Sequence, residues 1–414
     1  MLRNYLLTAY KVLLRRKFFT FVNLFAIALT IGVLTVVFAL LQNLLQPIGV
    51  ERRSDHYLAV ENAELAAEDG SQNWHSSPGY RMIERHFLPL QEPDLVAFVQ
   101  RSSEGTVFVD GRKLMPQIAA TDANFWKIME FEFLSGRGIS SDDVEQGRFV
   151  AVLNRTTAEN IFGSADALGR SLVANGQRFE VIGVVADVPV LRRHAFSEIW
   201  IPFSTLPSSN FRRDWMGSFN VFLYAEDRSR LPVIEKEVWT SFESFVHDDP
   251  ETFQLASAPA NSKLASLARE LLDRRNERDS GVGQLVAVLI GGILLFMLLP
   301  SINLINLNVS RILERSSEIG VRRAFGASSR DLVGQFLIEN LVLSLLGGGL
   351  GYLLGRLFLW LVEESGMIPY AEFEIDLGVF GLSLLAMLVF GLVSGVYPAL
   401  KMARLHPVKA LRGG

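Results

Sequence analysis

The stretch Phe18–Leu41 reads FFTFVNLFAIALTIGVLTVVFALL and contains no charged residue. A bilayer core takes roughly 20 apolar residues per helix, and this run meets that length. Three later runs also meet it: Val282–Leu307, Leu332–Val362 and Leu377–Leu400. Inside lipid a backbone must satisfy its own hydrogen bonds, so all four read as helices. They stand one plus three around a polar block of more than two hundred residues. A membrane protein with a soluble domain hung between its first and second spans is therefore expected.

Charge sets the orientation. Lys11, Arg15, Arg16 and Lys17 precede the first run. Arg311, Arg315, Arg322, Arg323 and Arg330 lie between the second and third, and Lys401, Arg404, Lys409 and Arg412 follow the fourth. The connection between the third and fourth is acidic: Glu363, Glu364, Glu372, Glu374 and Asp376. Basic loops stay in the cytoplasm, which puts both termini there and the polar block outside. The first run is longer than the apolar core of a signal peptide and has no small-residue cleavage site. Residues 1–17 read either as an amphipathic helix on the inner leaflet or as an extension of the first span.

The 414 residues carry a net charge of −4, no cysteine and six histidines. That balance argues against a nucleic-acid partner, and thiolate sites are excluded. Without disulfides the soluble block must build its own core, for which about 240 residues suffice.

Within the block, 46–281, two stretches share a β-α-β layout. One takes His56–Val60, a helical run Pro78–Leu90 and Leu95–Gln100. The other takes Phe219–Ala225, Leu231–Val246 and Thr252–Ala256. They occupy 56–100 and 219–257, with a β-rich insertion over 101–218. In that insertion Asp110-Gly111 and Asn175-Gly176 each separate alternating apolar runs, a strong signal for hairpins with type I′ turns. Phe149–Leu153 reads as a strand. Asn154 then caps a short helix, Arg155–Phe162, which Gly163 closes. Leu264–Leu272 carries a helical apolar stripe and leads toward the second span, either as a stiff link or as a plain connector. His75, His86 and Asp187 form no triad or ligand spacing, so surface or core roles are expected.

The spans, placed at 18–45, 282–308, 332–362 and 377–400, carry their own signals. Gly347, Gly351 and Gly355 recur every fourth residue, and Gly391 and Gly395 repeat the spacing. Such faces let helices approach closely in lipid. Pro300 interrupts the second span and is expected to kink it, with Asn303 and Asn306 behind it. Glu339 lies inside the third span, where an ionised group faces protein or water rather than lipid. It reads as an internal anchor, with a proton carrier as the other option. Arg356 reads as snorkelling toward the outer surface.

The run Glu318-Ile319-Gly320-Val321-Arg322-Arg323-Ala324-Phe325-Gly326-Ala327 resembles the signature of the FtsX-like permease family of ABC transporters (the type VII superfamily). Gln335-Phe336-Leu337-Ile338-Glu339, the glycines of 347–355, Tyr397-Pro398-Ala399 and Pro407-Val408-Lys409-Ala410-Leu411-Arg412 are also similar to that family. In the block, Gly136-Arg137, Val150–Asn154, Phe162-Gly163, Leu168-Gly169 and Val181–Val185 resemble the periplasmic core domain of MacB-type permeases. The resemblance extends over nearly the whole chain. It implies four transmembrane helices plus an α+β periplasmic domain of two β-α-β units with a β-rich insertion, in a bacterial inner membrane.

By that resemblance the connection 309–331 between spans two and three holds a coupling helix that docks on an ATPase subunit. Its contact residues would be Glu318, Ile319, Gly320, Val321, Arg322, Arg323, Phe325, Gly326 and Ala327. MacB itself carries an ATPase domain, but no G-x-x-x-x-G-K-[ST] run occurs in these residues. No cofactor is expected on this chain; ATP and Mg would be held by a partner ATPase, and this chain would be a non-catalytic subunit. A second permease copy or a sister permease would complete the unit. A periplasmic adaptor and an outer-membrane channel are further partners by analogy. The implied function is efflux of a periplasmic substrate by mechanotransmission: 363–376 and the large domain lie outside, and 401–414 inside. Control of a periplasmic hydrolase, as in the FtsX branch, and lipoprotein extraction, as in Lol permeases, are the competing functions.

Overall fold

Tyr57–Val60, Val150–Asn154, Ile199–Pro202 and most of Phe219–Tyr224 are buried residue after residue rather than in alternation. A strand that reads this way must be covered on both faces. The computed structural model, which describes residues 17–109, 111–274, 277–314, 321, 328–373 and 377–403, has that arrangement. Successive side chains of one strand enter opposite cores. Leu58, Phe98, Ala151, Leu153, Ile199, Val221 and Leu223 join one cluster. Their neighbours Tyr57, Ala97, Val152, Trp200 and Phe222 join the other. The first cluster is closed by Ile234, Val238 and Phe242 of the helix Leu231–Glu243 and by Met82, Ile83 and Phe87. Phe125, Ile128, Met129 and Val188 close the second.

The chain divides into two compact units. One, here called the head, comprises Asn43–Leu285 and Ile368–Glu372; the other comprises the long apolar helices. In the head the main sheet runs in the order Tyr57–Val60, Phe219–Tyr224, Leu95–Gln100, Gln117–Thr121, Ile199–Pro202, Val150–Asn154, Gln177–Val185, Ser171–Ala174, Val107–Val109 and Arg112–Leu114. Phe219–Tyr224 is antiparallel to both neighbours, so it sits between two strands of the early chain. The two β-α-β stretches are thus interleaved, and the insertion continues their sheet rather than forming its own.

Both expected hairpins are present. Val109 pairs with Arg112 across a two-residue turn that contains Gly111, at φ 75°. Ala174 pairs with Gln177, and Asn175 and Gly176 both take positive φ, 50° and 80°. That pair of left-handed residues is what a type I′ turn requires. Asn154 caps Arg155–Phe162 by accepting from the Thr157 N–H, and Gly163 ends that helix at φ 73°.

Two expectations need correction, and one left open is decided. The first β-α-β stretch contains an extra hairpin, Ala63–Ala66 with Asn73–Pro78. Residues 73–76 are exposed, and Trp74 is their one large apolar side chain, so no apolar alternation announces that strand. Its helix is also short: Tyr80–Met82 passes directly into a π turn, Ile83–Phe87. In the second stretch the closing strand is Leu255–Ser257, and it pairs with Ala63–Ala66 in a separate four-stranded sheet. Finally, Lys263–Leu272 does not continue into the next long helix. Asp273 ends it in the left-handed region at φ 53°, and the following helix starts at Val282.

The second unit holds most of the helices Lys17–Leu45 and Val282–Glu314, together with Ser329–Ser365 and Leu377–Ala403. Among the described residues, the segments Thr20–Leu45 and Val333–Ser365 are long and apolar enough to cross a membrane. Val282–Leu298 and Phe380–Val389 are shorter apolar stretches. Val282–Glu314 runs unbroken through Pro300. Residues 1–16 and 404–414 lie outside the described residues.

Candidate functional site

Glu51 follows the first long helix by a few residues, in a short 3-10 turn, Gly49–Glu51. It is 2% exposed, and a carboxylate buried so deeply must find partners. Its Oε1 accepts from the backbone N–H groups of His194 at 2.9 Å and Ala195 at 3.3 Å. Its Oε2 accepts from Lys263 Nζ, at the first position of the helix Lys263–Leu272. Burial pushes the Glu51 carboxyl up, but Lys263, His194 and Arg192 outweigh it and hold the group below its ordinary value. The chain entering the head is thereby fixed to the helix that precedes the exit.

Further groups extend the cluster. His194 Nε2 lies 3.5 Å from Glu61, and its Nδ1 lies 3.0 Å from the Tyr57 hydroxyl. Burial raises the Glu61 carboxyl, yet the hydrogen bond and charge of His194, with help from Ser266 and Arg193, bring it to about 2. Arg192, 4% exposed, donates to the Gln46 carbonyl and to Asn43 Oδ1. At the exit, Arg269 donates to Asn261 Oδ1 and to the carbonyls of Arg274 and Glu277. It ties off the turn after Leu272, while the N–H groups of Asp273 and Arg274 both donate to the Arg269 carbonyl and close the last turn of that helix. No sequence signal marks this constellation, because Glu51 meets partners 143 and 212 residues away.

The candidates named from sequence fall elsewhere. Glu318, Ile319, Gly320, Arg322, Arg323, Phe325, Gly326 and Ala327 lie outside the described residues; Val321 is described and exposed. Gly347, Gly351 and Gly355 face the first long helix. A Cβ on Gly347 would stand 2.5 Å from Ile27 Cγ2, one on Gly351 2.7 Å from the Ala28 carbonyl, and one on Gly355 3.0 Å from Thr35 Cβ. A Cβ on Gly391 would stand 2.7 Å from Ser344 Oγ. Gly395 shares that helix, and its surroundings are outside the described side chains, as are those of Asn303. Asn306 is exposed, and Glu339 is buried and accepts from Gln335 Nε2 at 3.1 Å. Arg356 pairs with Glu363 at 3.3 Å.

The histidine and aspartate candidates make structural contacts. His86 Nδ1 lies 3.0 Å from the Ser241 carbonyl, and its ring stacks on Phe242 at 4.4 Å. His75 is beside Glu64, and Asp187 accepts from the backbone and hydroxyl of Thr156. No group of three metal-ligating side chains occurs among the described residues.

Residues 20–240 match the MacB-like periplasmic core domain, and 290–407 match the FtsX-like permease C-terminal domain. The macrolide export ATP-binding/permease protein MacB of Wolinella succinogenes is 30% identical over 300 residues, which is 70% of this chain and 43% of that protein. The ABC transporter permease YknZ of Bacillus subtilis is 28% identical over 293 residues, 70% of this chain and 68% of that one. The crystal structure of the extracellular domain of a YknZ transporter from Gram-positive bacteria aligns over 48% of this chain and 98% of its own, at 18% identity and a TM-score of 0.36. The chain therefore spans less than half of the MacB relative and about two thirds of YknZ. With both domain families matched, the first over more than half of its residues, the chain belongs to the MacB-like, FtsX-type family of ABC transporter permeases, which are membrane-embedded and bear a periplasmic domain.

Proposed function

We propose that this permease relays ATP-driven motion from a separate cytoplasmic ATPase to its head, and that the head moves a periplasmic substrate outward. In this reading all four apolar helices cross the inner membrane, with both termini and the loop 309–331 inside and the head outside. Residues 318–327 dock on the ATPase: Arg322 and Arg323 supply charge, while Ile319, Val321 and Phe325 supply apolar contact. A second copy or a sister permease completes the unit. Gly347, Gly351 and Gly355 keep the first and third helices in backbone contact, and Glu339 anchors the third helix internally. A periplasmic adaptor and an outer-membrane channel extend the path.

The observation that carries the reading is the Glu51–Lys263 pair. It joins the chain entering the head to the helix near its exit through a contact in which the Glu51 side chain is 2% exposed and that of Lys263 10%. Parting the two would leave the Glu51 carboxylate buried without its cation, which is costly, so a displacement at one root is passed to the other. The macrolide transport named for the MacB relative supports an exported cargo, and the cargo of this chain is a proposal of the same class. The test replaces Arg322 and Arg323 together with Glu. Co-purification with the cognate ATPase falls if these residues dock; full recovery with full nucleotide response counts against the assignment.

A further inference from the structure

The connection between the two last helices is short, and its middle does not belong to the helical unit. Ile368–Glu372 clusters with the head. The Pro369 carbonyl accepts from the Val190 N–H at 3.3 Å. The Tyr370 hydroxyl donates to Glu198 Oε1 at 2.7 Å, and its ring lies 6.4 Å from that of Phe196. Tyr370 holds φ at 56°, a left-handed conformation that a bulky residue seldom adopts without being held there. Burial, followed by the nearby Glu198 carboxylate, pushes its phenol up to about 12, so the hydroxyl remains a donor at any physiological pH.

Val190, Phe196 and Glu198 all belong to one loop, 187–198. The same loop supplies the His194 and Ala195 N–H groups that hold Glu51, and Arg192, which binds Asn43 and Gln46. Its Arg193 also pairs with Glu270 on the helix that begins at Lys263. One loop thus receives the chain that leaves the first long helix, the helix that precedes the second, and the link between the third and fourth. Glu198 is further tied to the sheet, since its Oε2 accepts from the Gln117 N–H at 2.7 Å.

We infer that Ile368–Glu372 is a strap pinned by Tyr370 to Glu198, through which the third and fourth helices pull directly on loop 187–198. This rests on the relay proposed above and adds a third attachment to the two covalent roots. The reach of the chain makes the pull unavoidable. The third helix ends at Ser365, and the five steps of chain from there to Tyr370 span roughly 17 Å at most. Once that slack is taken up, a shift of the helix end either carries loop 187–198 with it or breaks the Tyr370 bond. Tyr370 and Glu198 are positioning residues: they act through the loop and touch no cargo.

The chain has no cysteine, so an introduced pair is chemically unique. The experiment uses the full chain with its ATPase in lipid nanodiscs and reads amide exchange across 190–198, without nucleotide and with trapped ATP. In the wild type, nucleotide alters that exchange. Tyr370→Asn keeps a residue that tolerates the left-handed turn but removes the pin, and the nucleotide-linked change falls about tenfold, within the range of an ordinary coupling. Glu198→Cys with Tyr370→Cys behaves likewise until a short, reducible bis-thiosulfonate joins them. Linkage restores the response, and reductant abolishes it again, which a merely structural role does not predict. If an Asn variant fails to co-purify with the ATPase, Tyr370→Phe, which loses only the hydroxyl, decides instead. A variant that keeps the full response, or a linked pair that stays silent, overturns the strap. A wild type whose exchange ignores nucleotide overturns the relay itself, a separate failure.

Discussion

The head and the helical unit hold their parts together by opposite means. In the head, closeness comes from bulk and buried charge: Trp200, Tyr57, Phe87 and Phe222 are almost fully enclosed, and Glu51 sits among backbone donors and Lys263. In the helical unit a smaller apolar cluster of Ile27, Ile31, Leu34, Met297 and Met387 is joined by glycines whose missing side chains let the helices touch. Gly32 approaches the Gly351 carbonyl, Gly351 approaches that of Ala28, and many leucines, among them Leu350, Leu353 and Leu357, point outward. Water explains the contrast. It drives apolar groups inward in the head, whereas lipid gives them no reason to hide, so close fit and backbone contact carry more of the packing. A fault in the head should therefore appear as an unsatisfied group, and a fault in the helices as a steric one.

Lys263→Ala breaks the comparison hardest. It strands the Glu51 carboxylate in a buried site, and losing one partner of such a pair costs about 3–5 kcal/mol. Denaturant unfolding of the head measures this, and Glu51→Gln combined with Lys263→Ala recovers part of the loss if the stranded charge is the cause. Gly351→Leu is the matching insult to the helices. The added side chain meets Ala28 and Ile31, and overpacking of this kind costs about 1–3 kcal/mol. Thermal unfolding in detergent should shift for this variant while amide exchange in the head does not.

Asp122 sharpens the comparison through pH. Burial raises its carboxyl to about 7, although the N–H groups of Phe98 and Phe125 oppose the shift. A carboxyl whose folded value lies above its unfolded one holds more protons when folded, so stability falls as pH rises between about 4 and 7. The slope is roughly 1 kcal/mol per pH unit across that window. Asp122→Asn keeps the acceptor, removes the charge and flattens this part of the profile; an unchanged slope refutes the assignment. The smallest expected effect is that of Asn154→Ala, which loses a helix cap worth about 1 kcal/mol and should lower the melting point of the head slightly.

Local chemistry was legible in the sequence and distant pairing was not. Asn175-Gly176 and Asn154 report themselves within a few residues, because a type I′ turn and a helix cap each depend on one or two side chains. The long apolar runs became long helices for the same reason. The strand Asn73–Pro78 was hidden because its exposed residues carry no apolar alternation. The charged cluster was hidden because Glu51, Glu61, His194 and Lys263 read singly as ordinary surface residues. Only the folded sheet brings them together, and no spacing encodes that meeting. The strap is similar: Tyr370 stands in an acidic loop whose charge speaks of orientation alone.

Phe219–Tyr224 is inserted between Tyr57–Val60 and Leu95–Gln100. Those two early strands lack their common neighbour until synthesis has passed residue 224. For most of its production the nascent head must therefore remain open along one seam, with Leu58 and Phe98 uncovered, and its closure is a late, long-range event of the slow kind that high contact order imposes. A ribosome stalled ahead of that strand would display an incomplete, sticky intermediate rather than a smaller folded module.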